Sequence, residues 1–150
     1  MGLMSYSDAL SRLMSDMVCR NETETVALSQ LTGRILAQEV CAKFDAPRFD
    51  NSAMDGYAVC GLQQHNWLLT NSIAAGDATD GLQLQAGQAM RILTGAAIPA
   101  GTDAVIAQED VTVSEGRLIA KASPQSGQHI RRQAEEYSMG EGLLPKQLPL

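Results

Sequence analysis

The chain has 150 residues, of which 45% are hydrophobic and 19% are charged, and its formal net charge is −6. The length allows one globular domain or two small ones, and the negative charge disfavours nucleic acid and anionic membrane surfaces as partners. No run approaches the roughly 18 apolar residues of a membrane span, and the first five residues do not resemble a secretion signal, so we expect a cytoplasmic protein with no membrane partner.

The N-terminal part of the chain predicts two helices. Apolar residues recur at helical spacing over residues 5–18, and Ser5 with Asp8 resembles a capping box. Ser29 is predicted to cap a second helix that carries Leu31, Ile35 and Leu36 inward. Gly33 weakens this second helix without ending it. The sequence therefore predicts a helical start.

From about Val40 onward, short apolar runs alternate with Gly, Pro, Asn and Asp, a pattern typical of strands and tight turns. Ser114-Glu115-Gly116 is predicted to close a hairpin. The fold class predicted is mainly β (α+β overall), with two N-terminal helices. Strands are predicted over residues 57–59, 67–70, 90–93, 104–107, 111–113 and 117–120.

An acidic loop over residues 44–59 carries three carboxylates, those of Asp45, Asp50 and Asp55. Asp and Asn at such density most often form turns through bonds to the backbone, and the residues alone favour that interpretation. The alternative is that Asp50 or Asp55 binds Mg²⁺, which proteins usually hold through one or two carboxylates together with water and a substrate phosphate.

Two further features are compatible with an anion. Thr94-Gly95 ends an apolar run, where a hydroxyl and flexible amides can hold an oxyanion, although a plain strand end explains it equally well. The pair Arg131-Arg132, with Arg91 and Lys121, is the best source of a basic pocket, but paired arginines more often face solvent.

Five segments stand out in order along the chain. They are TGRILA at 32–37, FDNSAMDGYA at 49–58, RILTGA at 91–96, AVIAQE at 104–109 and SGQHIRR at 126–132. Together they resemble motifs of the MoeA/gephyrin family of molybdopterin molybdenumtransferases, and residues 49–58 match the family's most recognisable signature at ten consecutive positions. The resemblance spans nearly the whole chain.

The resemblance implies a domain arrangement with bifurcated and coiled β-sheets. Residues 1–45 would form the helical part of a linking domain, 46–135 a β-rich domain, and 136–150 the return to the linking domain. A pterin-binding domain would follow in family members, so the chain is expected to be truncated before it.

The resemblance also implies chemistry. Family members insert molybdate into adenylylated molybdopterin with Mg²⁺ as the cation and with release of AMP. They act as homodimers whose site is shared between subunits, and a MogA-type molybdopterin adenylyltransferase is the implied pathway partner. The isolated chain is expected to be inactive.

Site residues follow from the matched motifs. Asp55 and Thr94 take the catalytic positions, and Asp55 is also the candidate Mg²⁺ ligand. The positions implied for substrate binding are Ser52, Arg131, Arg132 and Glu136.

The chain departs from the family pattern at Gln133, Ala134 and Glu136, where an arginine, a glycine and an aspartate are common. Gln133 removes a charge, and Ala134 replaces a residue that readily takes positive φ. The departures leave open a non-catalytic dimerisation or docking module in a diverged relative. A stand-alone domain for an anionic metabolite is a second alternative.

Overall fold

A computed structural model describes residues 4–17, 22–73 and 81–150 of the chain. Contacts divide the chain into two compact units, Met1–Glu39 with Leu144–Leu150, and Val40–Leu143. The three-part domain division predicted above stays a prediction. One α-helix and ten strands are formed: α1 (Tyr6–Asp16), β1 (Val40–Cys41), β2 (Asn51–Ser52), β3 (Gly56–Val59), β4 (Asn66–Ile73), β5 (Gln88–Ile92), β6 (Ala104–Ala107), β7 (Val111–Ser114), β8 (Arg117–Ala120), β9 (Ile130–Arg131) and β10 (Gly142–Leu144).

Helix α1 begins at the predicted cap. The Ser5 hydroxyl accepts a hydrogen bond from the Asp8 amide at 3.2 Å and donates one to the Asp8 carboxylate at 2.6 Å. Val18, the predicted last residue, lies outside the described residues. The large apolar side chains of α1 are exposed, with Leu13 at 66% and Met14 at 65%, so the described part of the chain does not cover this face. Within that part, no helix is both long and apolar enough to span a membrane.

The prediction of a second helix is wrong. A single 3-10 turn over Leu28–Gln30 replaces it. Gly33 adopts φ +80°, outside the right-handed helical region, and the chain continues extended. The Leu36 amide then donates to the Leu148 carbonyl, and the Gln147 amide donates to the Leu36 carbonyl. Backbone pairing with the last residues of the chain therefore satisfies the groups that a helix would have used internally.

A six-stranded sheet forms the larger unit, in the order β6-β3-β5-β4-β8-β7. All neighbours are antiparallel except β4 and β5, which run parallel. Two small sheets pair β1 with β10 and β2 with β9. The mainly β prediction is confirmed, and each of the six predicted strands overlaps an observed one. Glu115 and Gly116 take φ 51° and 74°, which makes the predicted β7–β8 hairpin a two-residue turn of type I′.

Strand β3 is buried on both faces. Tyr57 and Val59 belong to one hydrophobic cluster together with Trp67, whereas Ala58 belongs to a second cluster with Ile92. This division follows from the alternation of side chains across a strand. The strand that follows the acidic loop is thus buried along its whole length.

Gly56 allows β3 and β6 to approach closely. A Cβ atom at this position would lie 2.1 Å from the Ile106 carbonyl oxygen and 2.9 Å from its carbonyl carbon. No side chain can be accommodated there without moving one strand, because both close atoms belong to backbone.

We predict that Gly56→Ala destabilises the protein by about 3 kcal/mol or more, since relief of the clash requires a backbone shift in a packed sheet. Gly116→Ala is the matched comparison, because a Cβ there has open space and only the left-handed φ opposes it. It should cost only about 1 kcal/mol. Urea unfolding followed by circular dichroism measures both, and equal losses would contradict the prediction.

Candidate functional site

Two of the three carboxylates in the acidic loop accept a hydrogen bond at each oxygen. Asp45 accepts from the Met139 amide at 2.8 Å and from the Gln133 side-chain amide at 2.6 Å. Asp50 accepts from the Gln133 amide at 2.8 Å and from the Arg132 guanidinium at 2.6 Å. Both residues therefore attach the segment around residue 133 to the loop, through partners distant in sequence and not through the local turns that the residue types favoured.

Asp55 is bonded differently. Its Oδ1 accepts from the Thr94 amide at 2.7 Å and from the Thr94 hydroxyl at 2.6 Å, while its Oδ2 accepts no hydrogen bond from the described residues. The two Thr94 donors, hydroxyl first, lower the pKa of Asp55, and the nearby Arg91 charge adds to the effect. Asp55 is thus an exposed, ionised carboxylate with one fixed oxygen and one free oxygen.

The sheet brings Asp55 and Thr94 together. Gly56 pairs with Ile92 across antiparallel β3 and β5, so the start of one strand meets the end of the other. Asp55 immediately precedes β3, and Thr94 lies two residues beyond β5. Gly95 follows with φ +81° and open space around it, which lets the chain turn away from the pair.

A cationic side chain stands beside this pair. The Arg91 guanidinium donates to the Tyr57 hydroxyl and to the Gln108 carbonyl oxygen, both at 3.2 Å, and lies 5.6 Å from the centre of the Tyr57 ring. Gln108 also donates its backbone amide to the Asp55 carbonyl at 3.1 Å. Tyr57 and Gln108 are not predicted as neighbours of the site by residue type, because only the pairing of β3 with β5 and β6 places them there.

Ser52 lies in the same loop but points into the protein. Its side chain is fully buried, and its hydroxyl donates to the Met54 carbonyl at 2.6 Å. The Ser52 backbone exchanges hydrogen bonds with Gly95 and Ala96. Ser52 therefore shapes the turn that carries Asp55, and its predicted contact with substrate stays a prediction.

The two arginines of the pair Arg131-Arg132 have different surroundings. Arg131 is exposed in β9, opposite Asn51, whereas Arg132 forms the ion pair with Asp50. Glu136 is exposed, and among the described residues only its backbone amide is bonded, to the Ala46 carbonyl. The structure thus separates Arg132, already neutralised, from Arg131, whose charge faces solvent.

The segment that departs from the family pattern keeps the backbone geometry of a glycine. Ala134 adopts φ +60°. Its amide donates to the Pro47 carbonyl, and the Glu135 carboxylate accepts the Arg132 amide at 2.8 Å. These bonds hold the alanine in a left-handed conformation that glycine would adopt without strain.

Asp55 and Thr94 lie outside the well-formed cavities. A cavity of about 660 Å³ is lined by residues of the smaller unit, among them Glu24 and Arg34, and one of about 230 Å³ is lined by Lys121 and its neighbours. Neither includes the pair. The described residues also contain no cluster of three potential metal ligands. The pair is an open, polar surface feature rather than an enclosed pocket.

The chain is similar in sequence to a known protein family and to several of its members. The chain matches the family model described as MoeA N-terminal region (domain I and II) over residues 4–150. It is 38% identical to a molybdopterin molybdenumtransferase from Haemophilus influenzae, covering 99% of this chain and 39% of that protein. It is also 38% identical to molybdopterin molybdenumtransferase 2 from Mycobacterium tuberculosis, covering 89% of this chain and 35% of that protein.

A solved structure shares the fold. The molybdopterin biosynthesis MoeA protein from Pyrococcus horikoshii superposes with a TM-score of 0.84 at 32% identity, covering 99% of this chain and 41% of that one. The chain therefore spans about two fifths of the length of these relatives.

We predict that Ala134→Gly stabilises the protein by about 0.5–1 kcal/mol, because glycine relieves the left-handed strain and loses part of that gain to its own flexibility when unfolded. Ala37→Gly is the control, since Ala37 is also half-buried and does not have positive φ. It should destabilise by a similar amount. Thermal unfolding measures both, and a lower melting temperature for Ala134→Gly would contradict the assignment.

We also predict that Asp50 contributes to the loss of fold stability at low pH. The hydrogen bond from the Gln133 amide, together with the Arg132 side chain, holds the pKa of Asp50 below its ordinary value. The ionised Asp50 carboxylate therefore stabilises the fold above about pH 4, and this stabilisation is lost as the pH falls through the lowered pKa. Asp50→Asn should lower the melting temperature at pH 7 and reduce its decline between pH 5 and pH 2. Glu115→Gln controls for loss of one charge, and an unchanged decline in Asp50→Asn would count against this role.

Proposed function

This chain belongs to the MoeA family, in the N-terminal region of its members, and from that premise we propose that it supplies part of the active site of a molybdopterin molybdenumtransferase in molybdenum cofactor biosynthesis. The reaction proposed is insertion of molybdate into adenylylated molybdopterin with release of AMP. The chain covers 39% of the Haemophilus relative, so the remainder of the site would come from outside the described residues.

The observation that carries this proposal is the asymmetric Asp55 carboxylate. Each oxygen of Asp45 and Asp50 accepts a hydrogen bond within the fold, whereas Oδ2 of Asp55 accepts none from the described residues. A carboxylate fixed at one oxygen and open at the other can orient a bound group without moving, which is how preorganised sites act. Among the three candidates of the loop, Asp55 is the residue suited to chemistry.

The hydrogen bond from the Thr94 hydroxyl to Asp55 indicates the role of Thr94. Because an ionised carboxylate only accepts, the Thr94 hydroxyl must donate its proton to Asp55. Its oxygen lone pairs remain available to accept from water or from a protonated group. We therefore propose that the role of Thr94 is to orient Asp55. For the Thr94 hydroxyl to donate to a phosphate or molybdate oxygen instead, its hydrogen bond to Asp55 would have to break.

Asp55 also fits a magnesium ion. Mg²⁺ is commonly held by one or two carboxylates, with water and substrate phosphate completing its shell, and Oδ2 of Asp55 offers one such ligand. When bound, the ion would supply positive charge against the phosphate and molybdate oxygens. In the part of the chain that the structure describes, Asp55 would be the ligand and Thr94 would keep it in place.

The open position of the pair supports a shared site. Asp55 and Thr94 are both exposed and lie in neither cavity, so walls from another domain or subunit would be needed to exclude water. We propose a cytoplasmic homodimer in which the pair faces a pterin-binding domain, with a MogA-type adenylyltransferase supplying the adenylylated substrate. Arg131, exposed at the end of β9, and Glu136 are the remaining candidates for substrate contact.

We predict that Asp55→Asn lowers the rate of cofactor formation by about 100-fold or more, and Thr94→Ala by about 10-fold, because both remove the fixed carboxylate geometry. Thr94→Ser keeps the hydroxyl and should retain most activity. The assay joins this region to the remainder of the Haemophilus relative and measures AMP release from adenylylated molybdopterin with molybdate.

Thr112→Ala, in β7 at the far edge of the sheet, is the control and should keep normal activity. If the joined protein forms cofactor normally with both Asp55→Asn and Thr94→Ala, the proposed site is wrong. If it forms none even without substitution, the alternative of a non-catalytic docking module gains support.

A further inference from the structure

Arg91 and Asp55 are linked through shared neighbours. Arg91 lies directly opposite Tyr57 in the β3–β5 register, and its guanidinium donates to the Tyr57 hydroxyl. Gln108 contacts both residues, because its backbone amide donates to the Asp55 carbonyl while its side-chain oxygen accepts from Arg91. The cation and the carboxylate therefore lie close together at this end of the sheet, where the charge of Arg91 contributes to the lowered pKa of Asp55.

Neutral groups hold the Arg91 guanidinium. Its two bonds go to the Tyr57 hydroxyl and the Gln108 side-chain oxygen, and the Tyr57 ring lies beneath it. Tyr57 is itself only 7% exposed, which makes the platform rigid. An arginine has five N–H donors, so most of its donors, including Nε–H, remain unused by these bonds.

Among the described residues, no carboxylate oxygen lies within 4.0 Å of the Arg91 nitrogens, whereas Arg34 and Arg132 are both paired in this way. A half-buried guanidinium that is held by neutral groups, with no ion-pair partner in the described part of the chain, is suited to receive an oxyanion, because an arginine fork matches such oxygens.

The charge of the site favours such a cation, whose charge would add to that of the proposed Mg²⁺. Asp55 is ionised, and an anionic substrate brought to its free oxygen would be repelled unless a positive charge stands nearby. Among the described residues, Arg91 is the cation that acts on Asp55.

We propose that Arg91 is the oxyanion-binding residue of the site, holding a tetrahedral oxyanion beside Asp55 while Tyr57 and Gln108 keep its guanidinium in place. The inference rests on the proposed function for the location of the site. The oxyanion is either molybdate or the phosphate of the adenylyl group, which share the same chemistry, and the experiment separates the two.

The test uses the whole 150-residue chain, labelled with ¹⁵N and titrated separately with sodium molybdate and with AMP. We expect saturable shifts of the Arg91 Nε–H and Thr94 amide signals. Arg91→Lys, which keeps the charge but loses the fork, should weaken binding about threefold, and Arg91→Gln about tenfold. Stronger binding of molybdate assigns the contact to the metal oxyanion, and stronger binding of AMP assigns it to the adenylyl phosphate.

Arg117→Gln is the matched control, because Arg117 is also bonded to a neutral side chain, that of Asn66 at 3.3 Å, and lies in β8. It should bind as the unchanged chain does. Unchanged amide signals of Leu118, which is fully buried in β8, show in Arg91→Lys that the fold is intact. Equal affinity in Arg91→Gln, or no shift with either anion, overturns the proposal.

Asp55→Asn separates this inference from the proposed function. Removal of the repelling charge should strengthen anion binding about two- to fivefold, although the same substitution abolishes transfer. Loss of transfer in Asp55→Asn together with unchanged binding in Arg91→Gln would refute only the Arg91 inference. Normal transfer in Asp55→Asn with Arg91-dependent binding would refute only the proposed function.

Discussion

The close contact of β3 with β6 at Gly56 determines where the site residues lie. With no Cβ, Gly56 lets the Ile106 carbonyl approach, so β3 is enclosed between β5 and β6. Asp55 immediately precedes this contact, and its carbonyl is held by the Gln108 amide that follows β6. Strand β5 brings Thr94 to the same end of the sheet. One backbone contact thus positions a carboxylate, its hydroxyl partner and the residue that supports Arg91.

The sequence predicted the strands well and the site only in part. Alternating apolar runs bounded by turn residues are local signals, and they located six strands and the β7–β8 hairpin. The prediction of a second helix was wrong because tertiary contacts decide the conformation of this segment. Gly33 and Leu36 form backbone hydrogen bonds with the last residues of the chain, and these bonds replace those of a helix. Residue types alone could not distinguish Asp45, Asp50 and Asp55, since their bonding partners lie 39 to 94 residues away in sequence.

The departures from the family pattern are compatible with the fold. Gln133 still donates to Asp45, as the arginine common at this position could, but without a charge. Ala134 retains positive φ because its amide and the Glu135 carboxylate anchor both sides of the turn. The divergent segment therefore keeps its shape at the cost of some backbone strain, and it leaves Asp55 and Thr94 unaffected.

The strand order also constrains how quickly the sheet can assemble. Only β7 and β8 are joined by a tight turn, and such a hairpin closes within about 1–10 μs. Strand β3 must find β5 and β6, which lie about 30 to 50 residues further along, and β4 pairs with β5 in parallel. Pairings this distant require long loops to close first, which places folding in the range of about milliseconds to seconds. We therefore expect the hairpin to form early and the enclosed strand β3, which follows Asp55, to pair late.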